Sequence, residues 1–122
     1  MLDTHALIWA LGDPSKLSKQ ARQILEDPSH EVFVSSASLW EIAIKSADGK
    51  LSVPDDLESA IFTVGFLPLD IKFPHVRRLR TLPLHHRDPF DRILVAQALH
   101  EDLELVTRDR RILSYGTRVI EA

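Results

Sequence analysis

Short apolar runs alternate with amphipathic helical stretches along the whole chain, and this alternation most limits the folds open to it. The runs are too short and too widely separated to pair as hairpins. A chain built in this way forms a mostly parallel sheet with right-handed crossovers and helices on both faces, which is an α/β fold. Strands are predicted at 31–35, 66–69, 103–107 and 118–120, and helices at 5–11, 18–27, 38–47, 54–64, 74–79 and 89–100.

The opening residues 2–7 have the character of a buried strand that turns into a helix, with almost no strand sequence ahead of them. We therefore expect a truncated first strand at the centre of the sheet. The 122 residues, 44% of them hydrophobic, are enough for one packed core, which predicts a single domain over residues 1–122.

Composition excludes several classes of protein. The chain has no cysteine, so it forms neither disulfides nor thiolate metal sites. Its apolar runs are far shorter than the roughly 20 residues that span a bilayer, and its first residues are unlike a signal peptide. We expect no membrane association and a cytoplasmic location.

Charge is unevenly distributed behind the formal net charge of −3. Residues 1–71 contain five Lys/Arg and eleven Asp/Glu, whereas residues 72–122 contain ten and seven, including nine of the ten arginines. Because guanidinium groups match phosphate oxygens, this favours a local contact with nucleic acid. Any single arginine is more simply explained by a solvated helix face.

Four carboxylates lie where the predicted strands and helices meet: Asp3, Glu41, Asp91 and Asp109. Each has a local explanation. Asp3 and Asp109 could cap the helical segments that follow them. Glu41 could complete a capping box that begins at Ser38, or pair with a lysine one turn later. Asp88 could cap a helix in which Asp91 faces the positive end of the dipole.

Taken together, the four acids favour a shared site. Open parallel sheets bind ligands outside the carboxyl ends of their strands, at the point where the strand order reverses. Local capping does not require acidic residues at all four positions, because Ser, Thr and Asn cap equally well. Clustered carboxylates repel one another unless a cation neutralises them, and oxygen ligands favour Mg²⁺ or Mn²⁺ over Zn²⁺.

Four blocks of sequence carry a family resemblance: LDTHALIWAL, SSASLWEIAIK, HHRDPFDRILVAQAL and LVTRDRRI. In this order and at these spacings they resemble the signature blocks of PIN-domain proteins, specifically the VapC-type toxins of bacterial toxin–antitoxin pairs. The resemblance implies a three-layer α/β/α sandwich with a five-stranded, mostly parallel sheet. It also implies a Mg²⁺-dependent endoribonuclease that forms a homodimer and is silenced by a cognate antitoxin.

The resemblance extends to individual positions. It makes Asp3, Glu41, Asp91 and Asp109 the catalytic carboxylates, with Asp3 and Asp91 as the metal ligands. The Thr107 hydroxyl would orient a carboxylate or a water, whereas Asp88 takes second rank because capping explains it. Phosphate contacts to single-stranded RNA are predicted for the arginines nearest the acids, which are Arg87, Arg92, Arg108, Arg110 and Arg111.

Two other groups of residues receive a structural interpretation. His85 and His86 are expected to be exposed or structural, since water activated by a metal does not require them. Aromatic side chains recur at helical spacing with aliphatic neighbours, which predicts core positions for Trp9, Trp40, Phe62, Phe66, Phe73 and Phe90.

Two other classes of protein share part of this sequence pattern. A non-catalytic PIN-like domain that binds RNA or protein would have incomplete or separated carboxylates, whereas all four are present. A phosphoacceptor receiver or a haloacid-dehalogenase-type phosphatase also places an aspartate after its first strand. Each needs a further acidic residue beside that aspartate, and Leu2-Asp3-Thr4-His5 does not supply it.

Overall fold

The computed structural model of the protein describes residues 1–51 and 53–122. Helices and strands alternate in the predicted order, and their ends differ from the predicted ones by a few residues. The strands are β1 (Phe33–Ser35), β2 (Leu67–Leu69), β3 (Leu105–Thr107) and β4 (Val119–Glu121). The helices are α1 (Thr4–Gly12), α2 (Lys19–Glu26), α3 (Ser36–Ala47), α4 (Leu57–Thr63), α5 (Phe73–Leu79) and α6 (Pro89–Glu101), with 3₁₀ segments at Pro14–Lys16 and Arg110–Tyr115.

The sheet is parallel and is joined at its centre by one residue. β1 pairs with β2 and β3 pairs with β4, both in parallel register. Leu2 forms parallel bridges to Val34 of β1 and to Val106 of β3, so it stands as a single-residue central strand. The order is therefore β2-β1-Leu2-β3-β4, which confirms the five-stranded parallel sheet, with a first strand of one residue.

The helices cover both faces of this sheet, because neighbouring residues of a strand point to opposite sides. Leu2, Val34 and Val106 contribute to a core shared with α1, α2 and α4. Met1 and Leu105 contribute to a second core, which α6 and the 3₁₀ segment after β3 complete. The three-layer sandwich predicted from the sequence is confirmed, and its central layer is held by very short strands.

Two contacts fix α3 and α6 at the edge of the sheet where the strands end. The Trp40 and Phe90 rings pack edge to face with centroids 4.9 Å apart. Inside the protein, the buried Gln97 accepts a hydrogen bond from Ser35 Oγ at 2.5 Å and donates to the Asp70 carbonyl at 3.3 Å. Since α3 carries Glu41 and α6 carries Asp91, these contacts help to set the separation of the two acids.

The predicted capping box at Ser38 is wrong. Helix α3 begins at Ser36, and its N-cap is Ser35, whose hydroxyl accepts a hydrogen bond from Ala37 N–H. Ser35 takes this role because it ends β1 directly, where the backbone is still extended. Ser38 is buried inside the helix, and Glu41 consequently lies in the second turn.

The core assignment of the aromatic residues holds for Phe66, which is buried, and fails for three others. Trp40, Phe62 and Phe73 are exposed to 59%, 62% and 87%. Helical spacing identifies the face of a helix on which a ring lies but not whether another element covers that face.

Within the part of the chain that the structure describes, no helix has the length and apolar character needed to cross a bilayer.

Candidate metal centre

All four predicted carboxylates line one pocket of about 390 Å³ at the carboxyl edge of the sheet. Leu2 lies at the centre of this edge, between β1 and β3, where the strand order reverses. The prediction that the strand and helix junctions converge therefore corresponds to the observed geometry. The remaining lining residues are Asp88 and the basic side chains of His5, Lys45, His86, Arg108 and Arg111.

Asp3 is buried at the N-terminus of α1. It is the N-cap residue of that helix, and its Oδ1 accepts a hydrogen bond from Ala6 N–H at 2.8 Å. Burial raises the pKa of its carboxyl group, and hydrogen bonds from the Thr107 hydroxyl and the Ala6 amide offset part of this effect. The capping role is thus real and coexists with a position in the pocket.

Glu41 is buried and both of its carboxylate oxygens are bonded. Oε1 accepts a hydrogen bond from the Thr4 hydroxyl at 2.6 Å, and Oε2 is ion-paired with Lys45 one turn later. The same Thr4 hydroxyl lies 3.2 Å from Ser38 Oγ. Sequence reasoning missed Thr4, although a hydroxyl residue directly after the first strand was the available signal.

Asp91 lies in the first turn of α6 and is the most perturbed acid of the pocket. Burial, followed by the negative charge of Asp88, raises its pKa to about 7, and the charges of Asp3 and Glu41 add to this. Asp88 is the N-cap of α6, as predicted, and accepts hydrogen bonds from the N–H groups of Phe90 and Asp91. Asp88 also lines the pocket, so it adds a negative charge to the site besides capping α6.

Asp109 follows β3 and carries a strong basic partner. Arg111 donates from Nε and Nη2 to the two carboxylate oxygens, at 3.0 and 2.9 Å. This contact lowers the pKa of Asp109 to about 2. The Thr107 hydroxyl accepts a hydrogen bond from Asp109 N–H at 3.0 Å and so fixes the turn that presents the acid. Arg111 is therefore a partner of an acid in the pocket.

His86 lies inside the site, which sequence reasoning did not anticipate. The side chain is 5% exposed, and its Nε2 lies 2.8 Å from Asp109 Oδ2 and 3.0 Å from Asp91 Oδ2. His85 is exposed, and its ring packs against Tyr115 at 5.0 Å between centroids. Nothing in the local sequence distinguishes the two histidines, because the partners of His86 come from α6 and from the turn after β3.

The pocket fits a divalent cation. Within the described residues, the atoms of His86, Asp91 and Asp109 form the one group of three potential metal-binding side chains whose ligand atoms all lie within 4.8 Å of one another. Asp91, whose pKa is raised by burial and by neighbouring acids, gains most from a positive ion. The other acids of the pocket, Asp3, Glu41 and Asp88, add carboxylate oxygens, which suit hard cations. Asp3 lies outside this compact group, so its predicted role as a metal ligand stays a prediction.

The five predicted phosphate-binding arginines are placed differently from one another. Arg108 and Arg111 line the pocket, and Arg110 lines an adjoining depression. Arg108 packs over the Trp9 ring at 4.2 Å and donates to the carbonyls of Lys16 and Ala122. Arg92 is turned toward the carbonyls of Leu82 and Pro83, and Arg87 is exposed outside the pocket lining.

A parallel sheet with carboxylates gathered at its switch point is the arrangement of a PIN domain. The PIN domain family matches residues 1–117 of this chain. The chain therefore belongs to the PIN domain family, which confirms the resemblance found in its four sequence blocks.

Within that family, the chain is similar to VapC proteins. It is 32% identical over 122 residues to Ribonuclease VapC22 of Mycobacterium tuberculosis, an alignment that covers 94% of this chain and 90% of that protein. Its fold is similar to that in the crystal structure of VapBC2 from Rickettsia felis bound to a DNA fragment from their promoter. That match has a TM-score of 0.73 and 16% identity, and it covers 98% of this chain and 96% of the other.

Proposed function

We propose that this protein is a metal-dependent endoribonuclease that acts as the toxin of a toxin–antitoxin pair. The observation that carries the proposal is the convergence of Asp3, Glu41, Asp91 and Asp109 in one pocket of a PIN domain. Support comes from the similarity over nearly the whole chain to a protein named as a ribonuclease. The alternative of a non-catalytic PIN-like domain requires a depleted acidic set, and no acid is missing here.

Mg²⁺, or Mn²⁺, is the proposed cofactor, and Asp3 and Asp91 are its proposed ligands. When bound, such an ion supplies a water of lowered pKa and polarises the phosphate. Glu41 is oriented for a supporting role, since Thr4 and Lys45 hold its two oxygens. Asp109 is anchored by Arg111 and completes the set. The Thr107 hydroxyl supports Asp3 and holds the turn that presents Asp109.

RNA is the proposed substrate, because basic side chains surround the acids at the mouth of the pocket. Arg108 is the best placed of the predicted phosphate contacts, since Trp9 and two carbonyls already hold its guanidinium in position. Arg111 and Arg110 lie next to it, and Arg87 would act from the rim. Contacts of this kind bind the backbone without reading sequence, which suits single-stranded RNA.

A cognate antitoxin and a second copy of the chain are the proposed protein partners. One structural neighbour is a VapBC complex, which supports an antitoxin for this chain as a proposal. An acidic pocket with a raised Asp91 pKa is a suitable acceptor for a basic side chain of an inhibitor. Coexpression with the product of the adjacent upstream reading frame should relieve growth arrest if the pair exists.

The proposal is tested with purified protein, a mixed RNA pool and Mg²⁺, with and without a chelator. Asp3→Asn and Asp91→Asn should abolish cleavage without unfolding the chain. Asp55→Asn is the matched control, because Asp55 is exposed in the loop before α4 and does not line the pocket. Cleavage that survives both the chelator and Asp91→Asn would refute the metal-dependent mechanism.

A further inference from the structure

His86 connects two acids of the pocket through one ring nitrogen. Its Nε2 lies within hydrogen-bond distance of Asp91 Oδ2 and of Asp109 Oδ2. Its other nitrogen, Nδ1, accepts a hydrogen bond from Asp88 N–H at 3.1 Å. The imidazole thus spans the loop before α6, the first turn of α6 and the turn after β3.

The Nδ1 contact decides which nitrogen carries the hydrogen. A backbone N–H can only donate, so Nδ1 presents its lone pair to Asp88 and the hydrogen of the neutral ring lies on Nε2. Nε2–H is then shared between the two carboxylates. A metal bound by Nε2 would need its lone pair, which would place the hydrogen on Nδ1 against the Asp88 amide, donor against donor. In this arrangement His86 is a hydrogen-bond donor to the acids.

The backbone of His86 is held as firmly as its ring. Its N–H donates to the Tyr115 hydroxyl at 2.8 Å. The same hydroxyl accepts from Arg92 Nη1 at 3.2 Å, and this guanidinium also binds the Pro83 carbonyl at 2.8 Å. These bonds close the loop of residues 82–88 onto the 3₁₀ segment after β3. They also explain why Arg92 is turned away from the pocket.

The two acids that His86 connects are not equivalent. Both oxygens of Asp109 are engaged by Arg111, which holds this carboxylate in place. Asp91 has no partner of that kind, since no lysine or arginine among the described residues is ion-paired with it. His86 therefore connects an anchored carboxylate to one that is open to an incoming cation.

We propose that His86 is a positioning residue of the metal site, which uses its Nε2–H to hold Asp91 at a fixed distance from the anchored Asp109. The inference rests on the proposed metal-dependent function and adds a specific claim to it. The imidazole itself does not bind the ion, so the site presents only oxygen ligands and favours Mg²⁺ and Mn²⁺ over Zn²⁺. The outer hydrogen bonds of a metal site commonly change its affinity 10- to 100-fold.

Two polar substitutions separate the roles of the two ring nitrogens. His86→Gln can place an amide N–H near the position of Nε2, which keeps the donor to the acids. His86→Asn is too short for that but can place an oxygen near Nδ1, which keeps the acceptor for Asp88. Both variants remain polar in the same buried position. His30→Gln serves as the control, because His30 is an exposed histidine that lies 3.7 Å from Asp27 and does not line the pocket.

Mn²⁺ binding to the RNA-free protein is measured by electron paramagnetic resonance and by calorimetry, with urea unfolding in chelator alongside. His86→Asn should weaken Mn²⁺ binding by about 10- to 100-fold and His86→Gln by less than about tenfold. RNA cleavage by His86→Asn should recover toward the wild-type rate at saturating Mn²⁺. Wild-type protein and the His30→Gln control should bind alike.

Three results would overturn the inference. Equal losses in the two variants, together with a preference of the wild type for Zn²⁺, would make His86 a ligand. Unchanged Mn²⁺ binding in His86→Asn, with wild-type cleavage intact, would leave only a structural role and would spare the proposed function. Absence of Mn²⁺ binding in the wild type would refute the metal site itself and the inference with it.

Discussion

Replacement of Asp91 by asparagine should stabilise the metal-free protein, although it should abolish activity. Burial and the Asp88 charge raise the pKa of Asp91 from 3.8 to about 7. A shift of this size corresponds to about 4 kcal/mol of free energy at a pH above both values. The side chain is 23% exposed, and screening by solvent reduces the figure to about 3 kcal/mol. Loss of a negative charge from the first turn of α6 costs up to about 1 kcal/mol, which leaves a net gain of about 2 kcal/mol.

Proton binding to Asp91 sets both the direction of the pH dependence of stability and the pH range in which it occurs. Between pH 3.8 and about 7 the folded protein holds a proton on Asp91 that the unfolded chain has released. Wild-type stability due to this group therefore falls as the pH rises through that window and is lowest above it. The advantage of Asp91→Asn should be small at pH 5 and largest at pH 8. The amide oxygen of asparagine can still accept the hydrogen bond from His86, so geometry is retained.

Urea unfolding followed by circular dichroism, in chelator at pH 5 and pH 8, measures the effect. Asp55→Asn is again the control and should change the free energy of unfolding little at either pH. The reasoning fails if Asp91→Asn is no more stable than the wild type at pH 8, or if its advantage does not shrink at pH 5. Either result would mean that the Asp91 carboxylate is not destabilised by its surroundings.

Three further predictions concern the neighbours of Asp91 and the ion. Thr4→Val keeps the shape of the buried side chain but leaves Glu41 Oε1 without its donor, so urea unfolding should show a loss of about 1–3 kcal/mol. Arg111→Gln removes the main cause of the low Asp109 pKa, which should rise from about 2 toward its usual value in a carboxyl-carbon NMR titration. Mg²⁺ should raise the melting temperature of the wild type and leave that of Asp91→Asn unchanged, because only a site that binds the ion is stabilised by it. A variant that melts with the same Mg²⁺ response as the wild type would contradict the last of these.

The general architecture was predictable because its causes are local. The alternation of short apolar runs with amphipathic stretches sets the order of strands and helices. Parallel strands then bring their carboxyl ends to one edge of the sheet. Asp3 and Asp109 were therefore placed correctly by their position after a strand. Leu2 was recognisable as part of a very short central strand, because residues 2–7 have the character of a buried strand that turns into a helix.

The unpredicted parts of the site depend on contacts between distant segments. His86 gains its role from Asp109, 23 residues later, and Thr4 gains its role from Glu41, 37 residues later. The hydrophobic periodicity within one segment does not predict contacts between such distant residues. The same limit explains the error on Trp40. Its helical spacing predicts a core position, but its ring is exposed, because burial depends on what packs beside α3.

The distribution of lysine and arginine partners divides the four carboxylates into two pairs. Glu41 is neutralised by Lys45 and Asp109 by Arg111. Asp3 and Asp91 have no lysine or arginine partner within the described residues, and the pKa of each is raised by burial. Like charges that share a pocket without a lysine or arginine partner are the ones that a divalent cation stabilises most. This division supports Asp3 and Asp91 as the proposed metal ligands. Glu41 and Asp109 are already held in place by Lys45 and Arg111.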